Sequence, residues 1–337
     1  SLIIAAMYAR GFSTIEEPVI TRDHTERMMS AFGCGITSNV SGCIKIEGGK
    51  DYRGTRIDVP GDISSAAFFI VAALICPNSN ITICNVGINP TRIGILNILE
   101  KMGADIEVTN ERHDLFEPTA DLKVRYSTLK GIKIPKNQIS LAIDEFPIIF
   151  IAAACASGET ILRGAEELKV KESDRIESMA KGLETLGIQT TVYDDGIKII
   201  GGEIGSGTVN SNHDHRIAMA FSIAAIRSSG EVLIEDCKNV ATSFPNFIDL
   251  MNSLGLDISI LNVDKSISQK TTFPPRCSTT FAVEIHVKAG TMASSPGLKF
   301  SAAKDRCRAE VQDETAIDSL TSTNSENFFS NSWIYGP

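Results

Sequence analysis

The chain has 337 residues, 43% hydrophobic and 22% charged, which excludes a polar disordered polypeptide and leaves room for two domains of about 150 residues each. Its 32 basic residues against 41 acidic ones leave a net charge of −9, so no global cationic field draws it to nucleic acid or anionic lipid. Any anionic ligand must be held by local basic residues. Eight cysteines without a Cys-x-x-Cys pair, mostly inside apolar runs, read as reduced buried thiols of a cytoplasmic protein, not as zinc ligands or a disulfide framework.

The opening Ser1-Leu-Ile-Ile-Ala-Ala-Met has neither a basic n-region nor a small-residue cleavage site, and reads as mid-protein sequence instead of a signal peptide. Four similar units follow in chain order. Each has an apolar helix, a short alternating strand, a polar loop, an amphipathic helix ending in a hydrophobic-Gly pair, and another strand. The first unit predicts a helix over 2–8, a strand over 13–16, the loop Thr21-Arg-Asp-His24, a helix to Phe32-Gly33 and a strand around 43–46. In the second these are 65–76, 81–84, Asn89-Pro-Thr-Arg92, a helix to Met102-Gly103, and 105–108. The third runs from the helix after Asp144 through 160–162 and the loop 169–174 to Leu186-Gly187 and 189–192. The fourth starts after Asp214, passes 232–234 and Thr242-Ser-Phe-Pro245, and ends at Leu254-Gly255 and 257–260. The apolar runs 66–76 and 146–155 fall short of the ~18 residues a membrane span needs and read as core helices.

The terminal glycines suit a left-handed position just past a helix. Asp23-x-x-Glu26 and Asp174-x-x-Glu177 resemble capping boxes with Asp at the cap. Ile176, Met179, Leu183 and Leu186 recur at helical spacing and define a core face. Strands alternating with helices in this order indicate an α/β fold of repeated units.

Ionisable residues fall at two recurring spots. One is the start of the buried helix: Asp62, Asp144, and His213-Asp-His-Arg216. The other is the loop entering the amphipathic helix: Arg22, Arg92, and Lys171-Glu-Ser-Asp-Arg175. Helix N-termini carry unpaired N–H groups and a positive dipole end, so arginines beside them make anion sites, and several converging would hold a multiply charged phosphate compound. On the local pattern alone, Lys171, Glu172 and Arg175 also fit a solvated charge network along a helix. His213 and His215 fit a helix-capping or polar role better than that of a base. Arg216 is more telling, because it opens an otherwise apolar helix where a guanidinium without an anion is costly.

These residues resemble a known family. Thr21-Arg-Asp-His-Thr-Glu-Arg-Met28, Val59-Pro-Gly-Asp-Ile-Ser-Ser-Ala66, Asn89-Pro-Thr-Arg92, Ile143-Asp-Glu-Phe-Pro147, Glu167-Leu-Lys-Val-Lys-Glu-Ser-Asp-Arg175, Asp214-His-Arg-Ile-Ala-Met219 and Ala241-Thr-Ser-Phe-Pro245 resemble the 5-enolpyruvylshikimate-3-phosphate synthases, in family order over about residues 1–260. Asp-Glu-Phe-Pro and Thr-Ser-Phe-Pro, with Thr242 where many members carry lysine, resemble the glyphosate-insensitive subgroup. The resemblance implies βαβαββ-type units in the two-domain enolpyruvyl transferase fold. It also implies transfer of the enolpyruvyl group of phosphoenolpyruvate to the 5-hydroxyl of shikimate 3-phosphate, with release of phosphate and without metal or organic cofactor. By the same resemblance Asp144 takes the hydroxyl proton and Glu172 handles the methylene proton. Arg22, Asp144 and Lys171 hold shikimate 3-phosphate, and Arg175 and Arg216 hold phosphoenolpyruvate.

The resemblance further implies that residues 1–59 end one globular half, which is truncated here, and that residues 60–261 form the other half. Residues 262–337 read as a tail outside the family, with Ser, Thr and Asn clustered through 319–332 in a disorder-like composition. Family motifs that lie upstream of the first unit do not occur in this chain, which implies an incomplete copy that is inactive alone. Two other readings make different expectations. A UDP-N-acetylglucosamine enolpyruvyl transferase would bind a uridine nucleotide, and a non-catalytic repeat protein would bind neither substrate.

Overall fold

In the computed structural model the described residues are 1–39, 42–113 and 116–263, together with the backbone of the strands Ala282–Lys288 and Lys299–Ser301. The first unit consists of α1 (Leu2–Tyr8), β1 (Gly11–Glu16), α2 (His24–Ala31), β2 (Gly35–Ser38) and β3 (Cys43–Gly48). The second has α3 (Ile63–Ile75), β4 (Asn80–Gly87), α4 (Gly94–Lys101), β5 (Asp105–Arg112) and β6 (Thr119–Arg125). The third has α5 (Phe146–Ala154), β7 (Glu159–Arg163), α6 (Arg175–Thr185), β8 (Gln189–Tyr193) and β9 (Gly196–Ile200). A strand β10 (Gly207–Asn210) leads into the fourth, with α7 (His215–Ala224), β11 (Val232–Glu235), the short α8 (Val240–Ser243), α9 (Phe247–Ser253), β12 (Asp257–Val263) and β13 (Ala282–Lys288). A final strand, β14 (Lys299–Ser301), follows.

The four units share one sheet topology. In each, the third strand lies between the other two and runs antiparallel to both, in the orders β1-β3-β2, β4-β6-β5, β7-β9-β8 and β11-β13-β12. Two strands add in parallel at edges, β10 on β11 and β14 on β4. The helix that precedes the last two strands of every unit stops the same way. Gly33, Gly103, Gly187 and Gly255 are all left-handed. Each donates its N–H back to the second-to-last carbonyl of the helix, and the next residue donates to the carbonyl before that, as in Gly103 to Glu100 and Ala104 to Leu99. This is the Schellman geometry that the hydrophobic-Gly pairs predict.

Helices α3, α5 and α7 are apolar nearly all round and pack on one another at the centre of the main core. That core runs from Ile63 to Ile258. A second, smaller cluster belongs to the first unit and joins Ala6, Met29, Cys34, Ile44 and Ile46.

Three sequence expectations need correction. The strand around 43–46 is the third of its unit, and β2 precedes it. The matching central strands β6 and β9 escaped the sequence reading, although Ala120, Leu122 and Val124 alternate with Asp121 and Lys123 and are fully buried. No strand was expected within 262–337, yet β13 lies there: its Val283, Ile285 and Val287 alternate with Glu284, His286 and Lys288, and it pairs with β12 along its whole length. It takes the central place that β3, β6 and β9 take in their units. The stretch 319–332 lies outside the described residues. Finally, Asp23 makes no cap bond at the start of α2, because its carboxylate is engaged by Arg27 and Asn89.

Helices α6 and α7 approach closely at Gly182, where a Cβ would lie 2.1 Å from Cζ of the buried Phe221. Gly182→Ala gains up to ~1 kcal/mol of helix propensity but drives a methyl into that ring, a clash on the order of 1–3 kcal/mol. The clash decides the sign. The variant should unfold at lower urea concentration than the parent, and an unchanged midpoint would show that the two helices need no close contact.

Candidate active site

Three aspartates fix the helix starts around which the site is built. Asp62 accepts from the N–H groups of Ser64 (3.2 Å) and Ser65 (3.1 Å) at α3, Asp174 from Glu177 (3.0 Å) at α6, and Asp214 from Arg216 (2.9 Å) at α7. Helix α6 begins at Arg175, so Lys171 and Glu172 sit in the turn before it and not on a shared helical face.

Cationic side chains from three units converge on Asp144, which stands two residues before α5. Arg22 from the first unit donates a hydrogen bond to its Oδ2. Lys171 Nζ and Arg175 Nη1 each lie 3.6 Å from its Oδ1, and Arg216 Nη1 donates to its backbone oxygen at 3.1 Å. Burial by itself raises the Asp144 pKa. The charges of Arg216 and Arg22, the Arg22 hydrogen bond and Lys171 outweigh it and hold the carboxyl far below the usual carboxylate range.

Behind this cluster lies a fully buried ion pair. Arg175 is 1% exposed and its Nε donates to Asp214 Oδ2 at 2.8 Å, while Nη2 meets Glu172 Oε2 at 2.5 Å. Its Nη1 faces Asp144 with no hydrogen-bond partner. Glu172 is about half exposed, and Lys171 Nζ also reaches Glu167 at 2.5 Å. His215 has its pKa lowered, first by burial and then by Arg216. His213 is left-handed, and its carbonyl accepts from Asn239. All six residues expected at the site, Arg22, Asp144, Lys171, Glu172, Arg175 and Arg216, therefore belong to one connected cluster.

Sequence reasoning missed Glu145 and left Arg92 out of the site. Glu145 Oε1 accepts a short hydrogen bond from Ser64 Oγ and lies 3.8 Å from both Arg92 Nη2 and Arg216 Nη1. Burial pushes its pKa up, against the pull of Arg216, Arg92 and Ser64. The available signal was its place next to Asp144 in the Asp-Glu-Phe-Pro string. The first unit docks beside this cluster through polar contacts. Asn89 Nδ2 donates to Asp23 (2.7 Å) and Glu117 (2.9 Å), and His24 Nδ1 lies 2.6 Å from Glu117. Among the described residues no group of three or more His, Cys, Asp or Glu side chains is placed to hold a metal ion, and no helix is long and apolar enough to cross a membrane.

Residues 1–251 match the family profile described as EPSP synthase (3-phosphoshikimate 1-carboxyvinyltransferase). A 3-phosphoshikimate 1-carboxyvinyltransferase from Methylococcus capsulatus is 55% identical over 259 residues, covering 77% of this chain and 59% of that relative. One from Legionella pneumophila strain Paris is 56% identical over 257 residues, covering 76% and 59%. The chain thus spans about three fifths of the length of these relatives. The solved EPSP synthase from Acinetobacter baumannii superposes with a TM-score of 0.72 at 50% identity, over 75% of this chain and 58% of that one. The enolpyruvyl transferase NikO from Streptomyces tendae, at 19% identity and a TM-score of 0.62, shares the fold.

The depressed Asp144 pKa makes a stability prediction. Its contribution is complete above the unfolded-chain value of ~3.9 and is lost as pH falls from there toward the folded value. The gap in unfolding free energy between the parent and Asp144→Asn should be flat above about pH 5, amount to at least ~1.4 kcal/mol (one pKa unit), and close as pH drops below 4. Urea unfolding at pH 6 and pH 3 measures it, and a gap that widens on acidification would refute the assignment.

Proposed function

The chain belongs to the EPSP synthase (3-phosphoshikimate 1-carboxyvinyltransferase) family, and from that premise we propose that its charged cluster is one wall of a site joining phosphoenolpyruvate to shikimate 3-phosphate. The observation that supports this most is the convergence of Arg22, Lys171, Arg175 and Arg216 on a single carboxylate, Asp144. Glu167, Glu172, Asp214 and Glu145 pair with these cations as well, but Arg175 Nη1 keeps no hydrogen-bond partner and is placed to donate to a bound anion, which a phosphorylated acid supplies.

In this reading Arg22 and Lys171 hold the phosphate and hydroxyls of shikimate 3-phosphate, with Asp144 beside the 5-hydroxyl. Arg175 Nη1 and Arg216 take the phosphate or carboxylate of phosphoenolpyruvate by charged hydrogen bonds. The 5-oxygen bonds to C2 of phosphoenolpyruvate as its proton passes to Asp144, and the methylene carbon gains a proton to become a methyl. The methyl then returns a proton, the C2–O bond to phosphate breaks, and the enol ether and inorganic phosphate leave. Glu172, half exposed and paired with Arg175, handles the methylene proton as a relay. Asp144 alone among its cations is a weak base, and bound anions raise its proton affinity. The same reading divides the chain near residue 59 into parts of two globular halves and places its work in the cytoplasm.

Calorimetry on the chain tests the reading. Shikimate 3-phosphate should bind saturably, and Lys171→Ala or Arg22→Ala should weaken it by the ~1.5–3 kcal/mol of a charged hydrogen bond, tenfold or more. Binding of a UDP-sugar in its place, or equal affinity in both variants, would overturn the reading.

A further inference from the structure

We propose that Glu145 is a positioning residue of this site: one oxygen of its carboxyl anchors Ser64, Arg92 and Arg216 together and so sets where Arg216 presents its guanidinium. The proposal rests on the reading of Arg216 as an anion ligand.

The geometry is that of a shared anchor. The Glu145 side chain is 1% exposed. Its Oε1 meets Ser64 Oγ from the first turn of α3, Arg92 Nη2 from the loop before α4, and Arg216 Nη1 from the first turn of α7. Ser64 Oγ is also bonded by Arg92 Nη2 at 2.6 Å, and that nitrogen lies 3.3 Å from Asp62 at the cap of α3. Arg92 Nε is buried without a hydrogen-bond partner, so its guanidinium is held by the Nη2 contacts with Ser64, Asp62 and Glu145. Arg216 Nη1 is divided between the Asp144 backbone oxygen and Glu145 Oε1. Removing Glu145 takes away the point at which three helix starts meet, and leaves Arg216 fixed by one backbone carbonyl. A buried carboxylate between two guanidiniums also balances their charge, which a buried polar network requires.

Two variants separate the role from bulk stability. Glu145→Gln keeps the shape and an acceptor oxygen, and Glu145→Ala removes both. In nitrogen-15 NMR the Nε–H signals of Arg92 and Arg216, assigned with Arg92→Lys and Arg216→Lys, should move in Glu145→Ala and return toward parental positions in Glu145→Gln. Calorimetry with phosphoenolpyruvate, and with inorganic phosphate as a second probe, should show affinity falling tenfold or more in Glu145→Ala and staying within about threefold in Glu145→Gln. Unmoved arginine signals in a folded Glu145→Ala overturn the proposal, as does parental phosphoenolpyruvate affinity in that variant. If Glu145→Ala does not fold, Glu145→Gln decides: arginine signals near parental positions support the anchor, and displaced ones overturn it. If the parent binds neither probe, the reading of Arg216 as an anion ligand fails, while the arginine signals still judge the anchor.

Discussion

Arg175 and Asp214 are both withdrawn from water, and neither charge is tenable there without the other. Their pairing joins the first residue of α6 to the cap of α7, so the turn carrying Lys171 and Glu172 and the first turn carrying Arg216 are held beside each other. Close packing of the same two helices at Gly182 and Phe221 makes that approach possible. Breaking the pair would leave a buried charge in the wall of the site, which is why the remaining geometry depends on it.

The repeat architecture explains why the charges collect in one place. The second, third and fourth units each send an apolar helix into the main core, whereas in the first only Ala6 of α1 is buried, and every unit brings a polar loop to the start of an amphipathic helix. Helices α3, α5 and α7 pack together, so their N-terminal ends, capped by aspartates at α3 and α7, lie close enough to share partners. The first unit adds Arg22, docked by Asp23 and His24 against Asn89 and Glu117.

Asp144 and Glu145 are adjacent in sequence and shifted in opposite directions. Arg216, Arg22 and Lys171 win over burial at Asp144, whereas burial wins at Glu145. One carboxyl is thus held ionised among cations that can receive anions, and the other is enclosed where it can brace two arginines. The two environments differ because Asp144 lies in the turn entering α5, while Glu145 points under the start of α3.

Much of this was legible in the sequence. The four hydrophobic-Gly pairs marked helix ends because only a left-handed residue completes that hydrogen-bond pattern, and the capping aspartates at Asp174 and Asp214 marked starts for an equally local reason. The strings around Arg22, Asp144, Lys171 and Asp214 named six residues of the candidate site. Local pattern could not say that Asp23 spends its carboxylate on Arg27 and Asn89 in place of a cap, since Asn89 is 66 residues away. Nor could it show the central strands β6, β9 and β13, whose alternation is ordinary until two neighbours pair with them. The sequence by itself determined the repeat, the helix ends and the residue types of the site, all set by contacts within a few residues. Only the tertiary structure decided that Glu145 joins Ser64, Arg92 and Arg216, because partners 53 to 81 residues away in the chain meet at one buried oxygen only after three helices have packed.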